Sequence, residues 1–193
     1  MEHFLNINHI VSSYLNSFVI HYNLQKFIWF FADFPIFFIP IFLVVAWLYY
    51  TFKDNNIEKK KDLILIVFAP ILWIIINLII QHFIHLQRPE TFVKPILSHI
   101  PDASFPSDHA VVSFAFLFSL YVYGYKKIFW MFLPFVILMN LSRIAGGIHW
   151  FFDVVVWLII SLLVVIFICK VKNKKIIVKI QDFILKIASL IKL

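Results

Sequence analysis

Long apolar runs, separated by short polar stretches, set the pattern of this chain. They lie at 27–51, 63–86, 108–124, 128–147 and 150–169. A helix needs about 20 apolar residues to cross a bilayer. The run at 108–124 is short for that, so one of its ends is expected to start below the membrane surface. Residues 1–26 follow a different rhythm. Phe4, Leu5, Ile7, Ile10, Val11, Tyr14, Leu15, Phe18 and Val19 recur at helical spacing among polar residues. That predicts an amphipathic helix lying at the interface, then a short connector. Insertion of residues 4–20 would add a sixth span. From 171 onward, Ile176, Ile177, Val178, Ile180, Phe183 and Ile184 alternate with lysines. Two readings stay open for 171–193: an amphipathic helix on the inner leaflet, or a solvated basic tail.

Composition agrees with this pattern. Hydrophobic residues make up 63 % of the chain and charged ones 14 %, against roughly 45–50 % and 25 % in soluble domains. The mean hydropathy is +0.94. The expected fold class is an all-α integral membrane protein, a bundle of about five to six transmembrane helices with an amphipathic N-terminal helix. One polytopic domain over 1–193 accounts for the whole chain. Residues 1–27 lack a basic segment followed by a small-residue cleavage site, so no cleavable signal is expected. The single Cys169 lies in an apolar run, which excludes a disulfide framework.

The formal net charge is +7. Its location argues against a nucleic-acid partner. Lys53, Lys59, Lys60 and Lys61 lie between the first two spans, and Lys126 and Lys127 between the third and fourth. Lys170, Lys172, Lys174, Lys175, Lys179, Lys186 and Lys192 follow the fifth. With five spans, all of these fall on one side, which the positive-inside rule makes cytoplasmic. They would meet anionic lipid headgroups there. The C-terminus is then cytoplasmic, and the segments around 88, 107–109 and 142–153 face outward at the cell membrane.

Those outward segments carry the candidate chemistry. Arg143, His149 and Asp153 sit between two apolar runs, where ionisable groups are costly by roughly 2.5–3.5 kcal/mol each. His149 and Asp153 are four residues apart and share a helix face. A carboxylate in that position can hold one imidazole nitrogen and leave the other free as a nucleophile or base. Two further pieces are Gln87-Arg88-Pro89 and Phe105-Pro106-Ser107-Asp108-His109. Gly146 and Gly147 would permit the turn that delivers His149. Trp150 is the foremost candidate for an interface anchor. Each residue also has a plainer reading. Arg88 and Arg143 can snorkel to the interface, Ser107 can be only a helix N-cap, and His149 with Asp153 can be only a helix-stabilising pair.

The order and spacing of the three pieces resemble the type 2 phosphatidic acid phosphatase superfamily of membrane lipid phosphatases. That family's pattern is Lys, then Arg-Pro seven residues later, then Pro-Ser-Gly-His, then Ser-Arg, five residues, His, three residues, Asp. The last piece is present in full as Ser142, Arg143, His149 and Asp153, and the resemblance covers 88–153. Gln81 stands at the Lys position and Asp108 at the Gly position. His82, His85 or Lys94 can supply some of the missing charge, although interfacial packing also accounts for His82 and His85. A solvated loop accounts for Glu90 and Lys94. Asp108 is expected to be structural, paired with an Arg. The wording Ala103-Ser104-Phe105-Pro106-Ser107-Asp108-His109 is similar to the bacitracin-resistance branch, which are undecaprenyl-diphosphate phosphatases.

The resemblance implies a polyprenyl diphosphate substrate, and recycling of the cell-wall carrier lipid at the outer face. Chemistry supplies a scheme beside it. Arg88 and Arg143 gather phosphate oxygens bidentately, with Ser107 and the start of the third span adding donors. His149 attacks phosphorus and forms a phosphohistidine, while Asp153 fixes its tautomer. His109 protonates the leaving group and later activates water. No metal or cofactor is needed. Rival substrates on the same scaffold are phosphatidic acid, phosphatidylglycerol phosphate and the lipid A 1-phosphate. An anion transporter is the non-enzymatic alternative. Oligomeric state is not legible.

Overall fold

A computed structural model describes residues 2–84, 86–98, 104–105 and 107–192, the side chains of Glu2, His3, Phe4 and Gln81 aside. Expectations for Gln81 and His85 therefore lie outside the described side chains. The described residues form eight α-helices: α1 (Glu2–His21), α2 (Gln25–Asp33), α3 (Phe38–Phe52), α4 (Ile57–Phe83), α5 (Asp108–Val122), α6 (Lys126–Ala145), α7 (Phe151–Val171) and α8 (Lys175–Leu190).

Four stretches are long and apolar enough to cross a membrane: Gln25–Phe52, Ile57–Ile80, Lys126–Ala145 and Phe151–Val171. The chain is an integral membrane helical protein. The first stretch is not one continuous helix, because a 3₁₀ turn at Phe34–Phe37 with Pro35 near its start joins α2 to α3. Proline fixes φ and removes a donor, so the helical ladder is interrupted there. α4 begins at Ile57, earlier than the expected 63. Asn56 caps it, its side chain accepting from Lys59 N at 3.0 Å, and Lys59 pairs with Asp62 at 3.2 Å. Capping lets the charged turn 57–62 join the helix.

α5 has 15 residues, roughly 22 Å at 1.5 Å per residue, short of a bilayer's apolar thickness of about 30 Å. It packs against α4, α6 and α7, and Ala110, Val111, Phe114, Ala115, Phe116, Leu117 and Leu120 are all buried. Short and enclosed by these three helices, it is the central post of the bundle.

The two ends of the bundle differ in chemistry. At one end Lys59 donates to the Tyr123 carbonyl at 3.2 Å and lies 5.0 Å over the Tyr125 ring. Lys60 covers Trp47 at 5.1 Å. The long stems pack on apolar surface while the ammonium groups meet aromatic faces. α8 docks at the same end, where Gln181 donates to the Lys61 carbonyl at 3.1 Å and Asp182 pairs with Lys61 at 3.6 Å. Of the two readings for 171–193, the helix is the one formed. The opposite end holds Arg88, Ser107, His109, Arg143, His149 and Asp153.

α1 closes that second end in an unexpected way. Its inward face carries Val11, Leu15 and Val19, but also Asn8, Ser12 and Asn16, spaced four apart. Leu5, Ile10, Tyr14 and Phe18 stay exposed. The amides explain the inward turn. Asn16 donates to the carbonyls of Ala145 and Lys94, both at 2.9 Å, and Asn8 accepts from Phe152 N at 3.0 Å. Ala145 ends α6 and Phe152 lies in the first turn of α7, where backbone groups lack helical partners.

Because α5 is enclosed, added volume within it has nowhere to go. Ala115→Leu is expected to lower stability in detergent by about 1–3 kcal/mol. A thermal melt showing no change would contradict the enclosure.

Candidate active site

The turn between α6 and α7 forms the floor of the site. α6 ends at Ala145, and the Gly146 carbonyl accepts from Ile96 N and Leu97 N, both at 3.2 Å. A Cβ on Gly146 would meet Leu97 at 2.3 Å, and Gly147 has φ +84°. The first glycine permits close packing and the second a left-handed turn. The structure bends the chain here so that His149 points back into the bundle.

His149 is 2 % exposed. Its Nδ1 lies 2.8 Å from the Ser104 carbonyl. A carbonyl can only accept, so Nδ1 carries the proton and Nε2 keeps its lone pair. Nε2 lies 3.5 Å from Nη2 of Arg143. Burial, reinforced by Arg143 and Arg88, holds the His149 imidazole well below the ordinary histidine range. The ring is therefore neutral at pH 7, the form in which Nε2 is nucleophilic.

Asp153 stands one step further back than its spacing suggests. Its Oδ2 is 4.0 Å from His149 Nδ1, too far for a hydrogen bond. It accepts instead from the Ser104 hydroxyl and from Trp150 N at 2.9 Å. Ser104 bridges the pair, its carbonyl on the imidazole and its hydroxyl on the carboxylate. Asp153 also serves the first turn of α7 as a cap. The same turn accounts for Trp150, which is buried and donates from Nε1 to the Gln87 carbonyl at 2.8 Å. It stacks on His9 at 5.1 Å, so it secures the site and is not an anchor in lipid.

The cations lie on either side. Arg88 is buried, and its Nη1 donates to the Ile148 carbonyl, immediately before His149. Arg143 is buried at the last turn of α6, where a cation suits the helix dipole. Its Nη1 donates to Asp33 Oδ1 at 2.5 Å. The same oxygen lies 3.2 Å from His109 Nε2. Ser107 is fully buried and is the N-cap of α5, its Oγ accepting from Ala110 N at 3.5 Å. Asp108, expected to pair with an Arg, is bonded to an amide of α4. Its Oδ1 accepts from Asn77 of α4, which turns the carboxylate toward α4. Glu90 and the Lys94 side chain are exposed, as a solvated loop requires. His82 is exposed and packs edge-on against Phe83 at 5.2 Å. Among the described residues, no three His, Cys, Asp or Glu side chains converge as a metal site would need.

Asp33 and Ser104 are the residues that the spacing argument passes over. Asp33 carried a usable signal, since a lone acid within the apolar run 27–51 is a functional candidate by default. Ser104 carried none beyond its neighbourhood to Ser107 and His109.

Residues 62–177 match the PAP2 superfamily model. Over 148 residues the chain is 30 % identical to the bacitracin transport permease protein BcrC of Bacillus licheniformis, spanning 75 % of this chain and 70 % of that one. Over 148 residues it is 27 % identical to the undecaprenyl-diphosphatase BcrC of Bacillus subtilis strain 168, spanning 75 % and 74 %. No solved structure matches the chain. The family match covers more than half of the chain and includes every motif built into this end of the bundle, so the chain belongs to the PAP2 superfamily and is a membrane lipid phosphatase.

Proposed function

We propose that the protein hydrolyses undecaprenyl diphosphate to undecaprenyl phosphate and inorganic phosphate at the outer face of the cell membrane. This would return the cell-wall carrier lipid to use. The observation that carries the reading is the His149 imidazole, protonated at Nδ1 on the Ser104 carbonyl and presenting Nε2 beside Arg143. The substrate class comes from the undecaprenyl-diphosphatase relative.

In this scheme Arg143 and Arg88 draw the terminal phosphate to the floor of the site, with Ser107 and the first amides of α5 as further donors. His149 Nε2 attacks the terminal phosphorus, and the bond from phosphorus to the bridging oxygen breaks. His109 gives the departing lipid monophosphate a proton. Water, losing a proton to His109, then attacks the phosphohistidine and releases phosphate and His149. Asp153 acts through Ser104 and Trp150 to fix the turn and offset the charge that develops on the imidazole. Lysines gathered at the opposite end support the outward orientation. The basic α8 would lie on the inner leaflet.

A transport reading is favoured by one relative's name. Transport sites sit near the bilayer midplane between repeats. Here Arg88, His109, Arg143, His149 and Asp153 collect at one end of the bundle, which supports catalysis on a headgroup.

Phosphate release from undecaprenyl diphosphate, measured on purified protein in detergent with EDTA, separates these readings. Wild type is expected to turn over without a membrane gradient. His149→Ala is expected to lose at least about 10³-fold while still folding, as for removal of a nucleophile. Near-normal turnover by this variant would refute the scheme. Asp153→Asn should retain only about 10⁻²–10⁻⁴ of the rate. Ser104→Ala keeps the carbonyl on His149 and loses only the hydroxyl, so it should cost about 10–100-fold. A Ser104→Ala variant more impaired than Asp153→Asn would contradict the bridging role.

A further inference from the structure

We propose that Asp33 is a positioning residue for the phosphatase reaction, aiming Arg143 at the nucleophile and choosing the working nitrogen of His109. The inference rests on the lipid-phosphatase reading given above. Asp33 lies outside the matched region 62–177, on the last residue of α2, just before the 3₁₀ turn. α2 packs against α6, which brings the carboxylate to residues that lie far away in the chain.

A guanidinium has more than one edge for binding oxygen. In Arg143, Nη1 is occupied, with Asp33 Oδ1 at 2.5 Å and the Ala32 carbonyl at 3.4 Å. Nε is buried and has no partner among the described residues. Nη2 lies toward His149 Nε2 at 3.5 Å. Nε and Nη2 together form a planar fork that matches two oxygens of one phosphate. With Nη1 tied to Asp33, this fork is held beside the nucleophilic nitrogen, Nη2 toward His149 Nε2 and Nε without a partner among the described residues. Rotation of the guanidinium would lose that alignment, and small misplacements of such groups are costly in rate.

The same Oδ1 takes His109 Nε2 at 3.2 Å. A carboxylate on one ring nitrogen leaves the other to move protons, the division of labour seen in histidine–carboxylate pairs. The proton delivered to the leaving oxygen would then sit on Nδ1 of His109. Neutralising a buried Arg requires only the first contact. The second is what couples Asp33 to the proton-transfer residue.

The test uses the full chain in detergent, with Asp33→Ala, Asp33→Asn and Asp33→Glu. kcat and KM are measured with undecaprenyl diphosphate, and orthovanadate binding is measured by calorimetry. Asp33→Ala and Asp33→Asn are expected to lose kcat by about 10–100-fold, the range for partners that orient reacting groups, with KM moving less than about threefold. Asp33→Glu should recover part of kcat. Orthovanadate should bind at least about fivefold more weakly to Asp33→Ala, because its fork is no longer aimed. Unchanged kcat would overturn the proposal. So would tighter orthovanadate binding with kcat kept or raised, which would make Asp33 an occupant of the phosphate position that substrate displaces. If wild type binds orthovanadate but leaves undecaprenyl diphosphate intact, the substrate reading fails and the orthovanadate series alone decides the role of Asp33. If wild type does neither, both are overturned. Asp33→Asn, nearly identical in shape, keeps the comparison valid should Asp33→Ala fail to fold.

Discussion

A guanidinium buried between apolar helices must be matched by acceptors, or it will not stay there. Arg143 is 3 % exposed, and much of the architecture answers to that. α2 brings Asp33 and the Ala32 carbonyl to it, the 3₁₀ turn breaks the first apolar stretch just past this point, and α6 ends two residues after Arg143. The matching is incomplete at Nε, a buried donor with no partner among the described residues. Incomplete satisfaction of a buried cation is a cost to the fold. It is also what makes the cation available to a ligand.

The turn between α6 and α7 is held in the same spirit, by bonds that each join a side chain to a backbone group. Arg88 fixes the Ile148 carbonyl, Ser104 the imidazole, Asn16 the end of α6 and Asn8 the start of α7. Glycine gives the turn its shape but no stiffness. Stiffness comes from three separate segments converging on it, α1, the loop that carries Arg88, and Ser104. Such a shell keeps a reactive geometry within fractions of an ångström.

How much of this could be read from sequence follows from how far apart the partners lie. Arg143, His149 and Asp153 share one short stretch, so their association was legible from helical spacing alone. The order of motifs made the assembly with Arg88 and His109 legible by family resemblance. Asp33 and Arg143 are 110 residues apart, and no local rule joins them. The direct His149–Asp153 hydrogen bond was a reasonable expectation from their four-residue spacing. It fails because His149 lies before the first turn of α7, so the i,i+4 geometry does not apply and Ser104 fills the gap. The amphipathic pattern of 1–26 gave the helix but not its docking. Asn8 and Asn16 are polar positions within that pattern, yet they bond backbone groups at the start of α7 and the end of α6.

The shortness of α5 has a consequence for how molecules arrive. Its roughly 22 Å leaves about 8 Å of the hydrocarbon thickness unfilled on the active side, if its far end is level with the lysines. A phosphate group anchored to a long lipid can settle into that recess without its tail leaving the bilayer. Capture then becomes a two-dimensional search, and the rate follows the mole fraction of substrate in the membrane plane and the speed of lateral diffusion. Diluting the same amount of substrate among more bulk membrane lipid would slow the enzyme even at constant overall concentration.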